Sequence, residues 1–131
     1  MPTEENQARR KRILVVDDES RVCEFLKYRL REQYDIQTAS SGEEGLEIVH
    51  RYKPDVVVLD FLMPVMDGYE VLKRIKEDKD EDVRGTRVII ITGYGTIDNA
   101  VACMKAGAED FITKPFELSR LTNSIDVALK N

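Results

Sequence analysis

The sequence predicts a doubly wound α/β domain built on a parallel sheet, and three observations carry that prediction. Ile13-Leu14-Val15-Val16, Val56-Val57-Val58-Leu59 and Val88-Ile89-Ile90-Ile91 are continuous apolar runs, mostly β-branched, as in strands buried on both faces. Between such runs lie segments whose apolar residues recur at helical spacing. The alternation of strand and helix repeats five times, which calls for a parallel sheet, helices on both faces and right-handed crossovers.

Composition bounds what such a domain does. A chain of 131 residues suits one domain with its own core. With 42% apolar and 34% charged residues it falls outside the disordered class. No apolar run approaches the roughly 20 residues of a membrane-spanning helix. The first dozen residues lack the apolar core of a signal peptide, so the expected compartment is the cytoplasm, without a membrane partner. A net charge of −5 gives no global basis for direct nucleic-acid binding. The one basic cluster, Arg9-Arg10-Lys11-Arg12, reads as a solvated run entering the first strand rather than an arm for phosphate backbones. Cys23 and Cys103 have no metal-site spacing and fall on apolar helix faces, as buried structural thiols do.

In chain order, residues 1–11 are polar and aperiodic and are expected to form a flexible tail, with one domain over 12–131. The first strand ends in Asp17-Asp18-Glu19, and Ser20 or Asp18 can cap the helix that follows. Val22, Phe25, Leu26 and Leu30 define that helix's buried face, ending near Glu32. Tyr34 to Ala39 alternates weakly, like a strand nearer the sheet edge. Ser41-Gly42-Glu43-Glu44 has capping-box spacing and starts a helix carrying Leu46, Ile48 and Val49. His50, the single histidine, has no carboxylate close in sequence and is expected to pack on the surface. The third strand ends in Asp60; Pro64 and Asp67-Gly68 then mark a loop and a helix start, with Val71, Leu72 and Ile75 inward. Glu77 to Arg84 reads as a solvated helix end and loop closing at Gly85. After Thr92-Gly93, the residues Ile97, Val101 and Met104 share a helical face, with Gly107 as C-cap. Glu109 to Thr113 is a short last strand ended by Lys114-Pro115, and Leu118, Leu121, Ile125 and Ala128 line the final helix.

Ligands bind open parallel sheets outside the carboxyl ends of the strands. At that edge the sequence places Asp17, Asp18, Asp60, Thr92 and Lys114. Three carboxylates close together repel and need a cation to stay ionised; their hard oxygens suit Mg²⁺. A lysine and a hydroxyl on flanking strands are partners for a phosphoryl group bound there. The pattern points to a Mg²⁺-dependent phosphoryl site with Asp60 placed as nucleophile.

Across Ile13 to Leu129 the chain resembles a response-regulator receiver domain of two-component signalling. The resemblance rests on Val16-Asp17-Asp18, Leu59-Asp60 with Met63-Pro64 and Asp67-Gly68, Thr92-Gly93, and Lys114-Pro115-Phe116. Gly93 to Thr96 and Met104 to Ala108 are similar to receivers of nitrogen-regulator-type transcriptional activators. The resemblance implies a flavodoxin-like (βα)5 fold of strand order 2-1-3-4-5. It implies Asp60 as phosphoacceptor, taking a phosphoryl group from a histidine kinase or a histidine phosphotransfer protein. Asp17, Asp18, Asp60 and the main-chain carbonyl of Leu62 would hold Mg²⁺. Lys114 would pair with the phosphate, Thr92 would move to hydrogen-bond it, and Phe111 matches the aromatic switch residue. The Lys114-Pro115 bond is expected to be cis. The readout expected is the face of the fourth helix, fifth strand and fifth helix (about Thr96 to Asn131), where a homodimer could form.

Three positions depart from the family's pattern. Leu62 and Tyr94, each two residues beyond Asp60 and Thr92, are bulky and unable to orient an attacking water, which implies slow self-dephosphorylation; the resemblance implies no enzyme activity beyond that and self-catalysed phosphoryl acceptance. Phe111 lacks a hydroxyl, so its switching would rest on ring packing. A haloacid-dehalogenase-type phosphatase needs a second acid where Leu62 stands, and a dinucleotide fingerprint needs a third glycine where Asp98 stands. A degenerate receiver that only binds a partner is the alternative, against which all five site residue types are intact. No output domain is legible after Lys130, which leaves a stand-alone receiver and a fragment of a larger activator or hybrid kinase both open.

Overall fold

The structure, a computed structural model, describes residues 10–130; the tail expected over 1–11 lies, for residues 1–9, outside them. Five strands, β1 (Arg12–Val16), β2 (Asp35–Ala39), β3 (Val56–Asp60), β4 (Arg87–Thr92) and β5 (Asp110–Thr113), form one sheet. Its order is β2-β1-β3-β4-β5 and every neighbouring pair is parallel, the flavodoxin-like arrangement expected. Around it lie α1 (Ser20–Leu30), α2 (Gly42–Tyr52), α3 (Gly68–Lys76), α4 (Glu81–Arg84), α5 (Ile97–Lys105) and α6 (Leu118–Lys130).

Strand side chains alternate between faces, so each all-apolar run feeds two cores. Leu14, Val16, Val57, Leu59, Val88 and Ile90 pack on Ile48, Val49, Val71, Leu72, Ile75 and Cys103. Ile13, Val15, Val56, Val58, Ile89 and Ile91 pack on Leu26, Leu30, Leu121 and Ile125 of α1 and α6. Each fully buried aliphatic side chain contributes about 1.5–3 kcal/mol, which outweighs local propensity in forming the sheet. The polar strand ends are thereby held on a rigid edge. Among the described residues no helix is long and apolar enough to cross a membrane.

Caps set the helix starts. Ser41 Oγ accepts from the Glu44 main-chain N–H at 3.1 Å, and a Glu44 carboxylate oxygen accepts from the Ser40 N–H at 2.6 Å, one residue earlier than a standard capping box. Asp67 caps α3 through the Glu70 N–H at 2.9 Å. Gly107 follows α5 with φ +106°, a conformation glycine adopts without steric cost.

Several expectations are corrected. Neither Ser20 nor Asp18 caps α1: Glu19 occupies the cap position and makes no side-chain cap hydrogen bond, and the helix stops at Leu30 rather than near Glu32. Phe25 points outward, 51% exposed, while Cys23 takes the inward place. The Glu77–Arg84 stretch holds a helical turn, because Asp80 accepts from the Asp82 N–H at 2.8 Å and Val83 is fully buried. On α5 the face shared by Ile97, Val101 and Met104 is the outward one, exposed by 82%, 45% and 46%, while Cys103 is buried as expected of it. That helix is apolar on two sides, and periodicity alone chooses the bulkier side. His50 has an acidic partner after all, since the loop after α3 brings Asp78 Oδ2 to 2.7 Å from Nε2.

Candidate functional site

β1, β3 and β4 end side by side, and their last residues turn from apolar to polar at the same edge. Asp17 follows β1 and is fully buried; Asp60 ends β3 and is 5% exposed; Thr92 ends β4 and is fully buried. Asp18 is exposed beside them, and one carboxylate oxygen from each of Asp17, Asp18 and Asp60 lies within 4.8 Å of the others. Lys114, just past β5, donates from Nζ to Asp17 Oδ2 at 3.0 Å and to Asp60 Oδ1 at 3.4 Å. The other Asp17 oxygen accepts from the Glu19 main-chain N–H at 2.9 Å. All five residues that the sequence assigned to one edge therefore meet there.

The loop after Asp60 turns back so that Gly68 packs against the end of β3. Gly68 N–H donates to the Phe61 carbonyl at 2.8 Å, and a Cβ on Gly68 would meet the Asp60 carbonyl oxygen at 2.5 Å. Only glycine permits that approach. Lys114 is aligned by its own N–H, which donates to the Thr92 carbonyl at 2.7 Å, and the Lys114-Pro115 bond is cis as expected. Thr92 Oγ1 accepts from the Tyr94 N–H at 2.9 Å, which ties the hydroxyl to the β4–α5 loop. Leu62 and Tyr94, each two residues beyond Asp60 and Thr92, are 44% and 67% exposed.

Electrostatics follow from this crowding. Burial first, then the neighbouring Asp17 charge, pushes the Asp60 carboxyl up to about 6, with Lys114 opposing. Burial would lower the Lys114 ammonium, but the hydrogen bond and charge of Asp17, joined by Asp60, raise it overall. Three acids around one ammonium leave negative charge in excess, and hard carboxylate oxygens converging within 4.8 Å suit Mg²⁺. The residues present fit that ion. Cys23 Sγ lies 3.4 Å from the Asp17 carbonyl oxygen, and burial, then Asp17, pushes the thiol up to about 11, as befits an inert structural cysteine.

Two contributors escaped sequence reasoning. Phe61 meets Phe111 edge-on, with centroids 6.3 Å apart and planes at 65°, so the ring next to Asp60 braces the ring on β5. Gly95 closes the other side, since a Cβ there would lie 2.1 Å from Thr113 Cγ2 and 3.6 Å from Phe111 Cε1. Phe61 carries no spacing signal, and the spacing of Gly93 and Gly95 does not reveal this packing; both act through contacts between distant segments.

Comparison with known proteins gives a consistent answer. The family model described as the response regulator receiver domain matches residues 13–126. The alkaline phosphatase synthesis transcriptional regulatory protein PhoP of Bacillus subtilis is 36% identical over 92% of this chain and 49% of its own length. The transcriptional regulatory protein GlrR of Escherichia coli is 39% identical over 90% of this chain and 26% of its own length. The chain thus spans about half or less of these curated relatives. A response regulator receiver domain protein from Clostridium thermocellum superposes with a TM-score of 0.83 at 36% identity, covering 92% of this chain and 94% of that one. A CheY-like receiver domain protein from Methanospirillum hungatei gives 0.84 at 30% identity, with the same coverage. On these matches, and on the sheet order and acidic crevice that agree with them, the chain belongs to the response-regulator receiver domain family.

Proposed function

We propose that the domain is a phosphorylation-dependent signalling switch whose phosphoacceptor is Asp60. One observation carries the reading: a nearly buried carboxylate at a strand end shares a lysine with one acid and a small volume with two. An oxygen of Asp60 attacks the phosphorus of a phosphohistidine on a histidine kinase or phosphotransfer protein. The P–O bond forms as the P–N bond breaks, and the leaving imidazole keeps the electron pair and takes a proton. Lys114, already held protonated between Asp17 and Asp60, neutralises charge on the transferred group. Asp17, Asp18, Asp60 and the Leu62 main-chain carbonyl would hold Mg²⁺, which when bound supplies charge neutralisation to the phosphoryl oxygens.

Thr92 gives up its hydrogen bond from Tyr94 to donate to the new phosphoryl group, and the β4–α5 loop follows. Phe111, braced by Phe61, reorients with it. Such a change biases a two-state surface rather than creating one. The readout surface is the face of α5, β5 and α6, where exposed Ile97, Val101 and Met104 support a homodimer. Relatives named as transcriptional regulators support transcription control as the output of the longer protein.

The test is the intact mass of the protein after incubation with Mg²⁺ and a small phosphodonor, with Asp60→Asn in parallel. One added phosphoryl group in the parent and none in the variant supports the switch. No addition in either makes the domain a partner-binding module only.

A further inference from the structure

The sheet edge remote from the acidic crevice carries a second concentration of charge, of opposite sign. Arg10 and Arg12 at the start of β1, with Lys27 and Arg31 at the end of α1, line a cleft of about 320 Å³ walled also by Tyr34, Asp35 and Ile36. The chain as a whole has net charge −5, so this excess of cations is local. The five residues of β1 separate it from Asp17, roughly 15 Å along a strand.

The groups that position these cations are not acids. Arg10 Nη2 donates to the main-chain carbonyls of Arg31 and, at 3.2 Å, Tyr34. Arg12 Nη1 donates to the Tyr52 carbonyl at 2.7 Å, and its guanidinium lies 5.2 Å from the Tyr52 ring centroid. The Arg31 guanidinium lies 4.3 Å from the Tyr28 ring centroid. Carbonyls and ring faces orient a guanidinium without cancelling its charge. Among the described residues none of these four cations is in an ion pair, whereas Lys53, Arg74, Lys114 and Arg120 all are. Three acids stand nearby: Asp35 in the lining, Asp55, whose Oδ2 accepts from the Arg12 main-chain N–H at 2.9 Å, and Asp126, whose Oδ1 accepts from the Tyr34 hydroxyl at 3.1 Å. They are outnumbered. Arg10 and Arg12 are exposed, as a solvated run is, but their guanidiniums are held in place by carbonyls and a ring face.

Oriented, unneutralised guanidiniums in a concavity select an anion of several charges whose oxygens accept from their forked donors. The cleft sits at the small end of ligand pockets, which run from roughly 300 to 1,000 Å³. It is a pocket rather than a stripe along one face, which favours a compact anion over a duplex backbone. We propose that this cleft binds an oligophosphate of the di- or triphosphate class, either free or as the phosphate chain of a nucleotide.

The test is two-dimensional amide NMR of the full chain in EDTA, so that no divalent cation recruits phosphate to the acidic edge. Tripolyphosphate and ATP are titrated separately. Saturable shifts are expected at residues 10–12, 27, 31 and 34–36, with affinity falling as salt rises. Lys27→Gln, whose side chain forms no hydrogen bond or ion pair among the described residues, and the double variant Lys27→Gln/Arg31→Gln should weaken binding, the double by about tenfold or more. Equal affinity for both probes identifies the free anion, and tighter ATP binding identifies the nucleotide. No saturable shift with either probe, shifts only around Asp17 and Asp60, unchanged affinity in both variants, or tenfold tighter binding of duplex DNA would each overturn the proposal.

Discussion

Lys114 and Asp17, 97 positions apart in sequence, meet at 3.0 Å, and this contact rather than the one to Asp60 is the shorter arm of the lysine's bridge. The lysine therefore rests on a fully buried acid and leaves Asp60 the more weakly compensated of the two. That asymmetry has consequences for stability.

Asp60→Asn should stabilise the metal-free protein at pH 7.5. A carboxyl raised from its ordinary value to about 6 is favoured by folding only while protonated. Its contribution is lost as pH rises from about 4 through 6, and the cost then persists at higher pH. That rise corresponds to about 2–3 kcal/mol as an upper bound. Urea unfolding in EDTA at pH 4 and pH 7.5 checks this: the variant's advantage should appear only at the higher pH.

Lys114→Met should destabilise the fold in EDTA by about 3–5 kcal/mol, because it strands Asp17 as a buried charge without its partner. Added Mg²⁺ should recover part of that loss, since the ion supplies the missing positive charge. A thermal melt with and without Mg²⁺ reads both effects, and no Mg²⁺-dependent recovery would speak against the acids as a cation site.

Leu62→Asn should speed loss of the phosphoryl group from the phosphorylated protein. The side chain of Leu62, two residues beyond Asp60 and 44% exposed, offers no hydrogen bond to an incoming water, whereas an amide there can orient one. Decay of the phosphorylated mass with time, at about tenfold faster rate for one positioned hydrogen bond, is the measurement.

His50 supplies a pH-dependent tie between α2 and the loop after α3. Its Nδ1 faces the Leu46 carbonyl at 2.8 Å and its Nε2 faces Asp78 at 2.7 Å, so both nitrogens meet acceptors and the imidazolium satisfies both. The Leu46 carbonyl, then Asp78, raises the His50 pKa. The Asp80 main-chain N–H, then His50, lowers that of Asp78. The histidine's contribution is present below its unfolded pKa of about 6.5 and lost as pH rises through the folded value; the aspartate's is lost as pH falls below about 4. Both groups face solvent, so the effect is small. Urea midpoints should fall between pH 5.5 and pH 8.5 by more in the parent than in His50→Gln.

Much of this molecule is legible in its sequence. The buried runs at Ile13, Val56 and Val88 could only be strands of a two-sided sheet, and a parallel sheet collects its strand ends on one edge. That geometry forces Asp17, Asp60, Thr92 and Lys114 together before any distance is known, because strand direction is shared and the acids end the runs. Other features were decided only by tertiary structure. α5 is apolar on two sides, and which side is buried depends on where Cys103 meets the core. The pairs His50–Asp78 and Phe61–Phe111 join segments far apart in the chain, as does the cation cluster of Arg10, Arg12, Lys27 and Arg31. Local pattern reports which way a side chain faces relative to its own element. Which partner it meets is fixed by how elements pack, and that information lies in no single stretch of the chain.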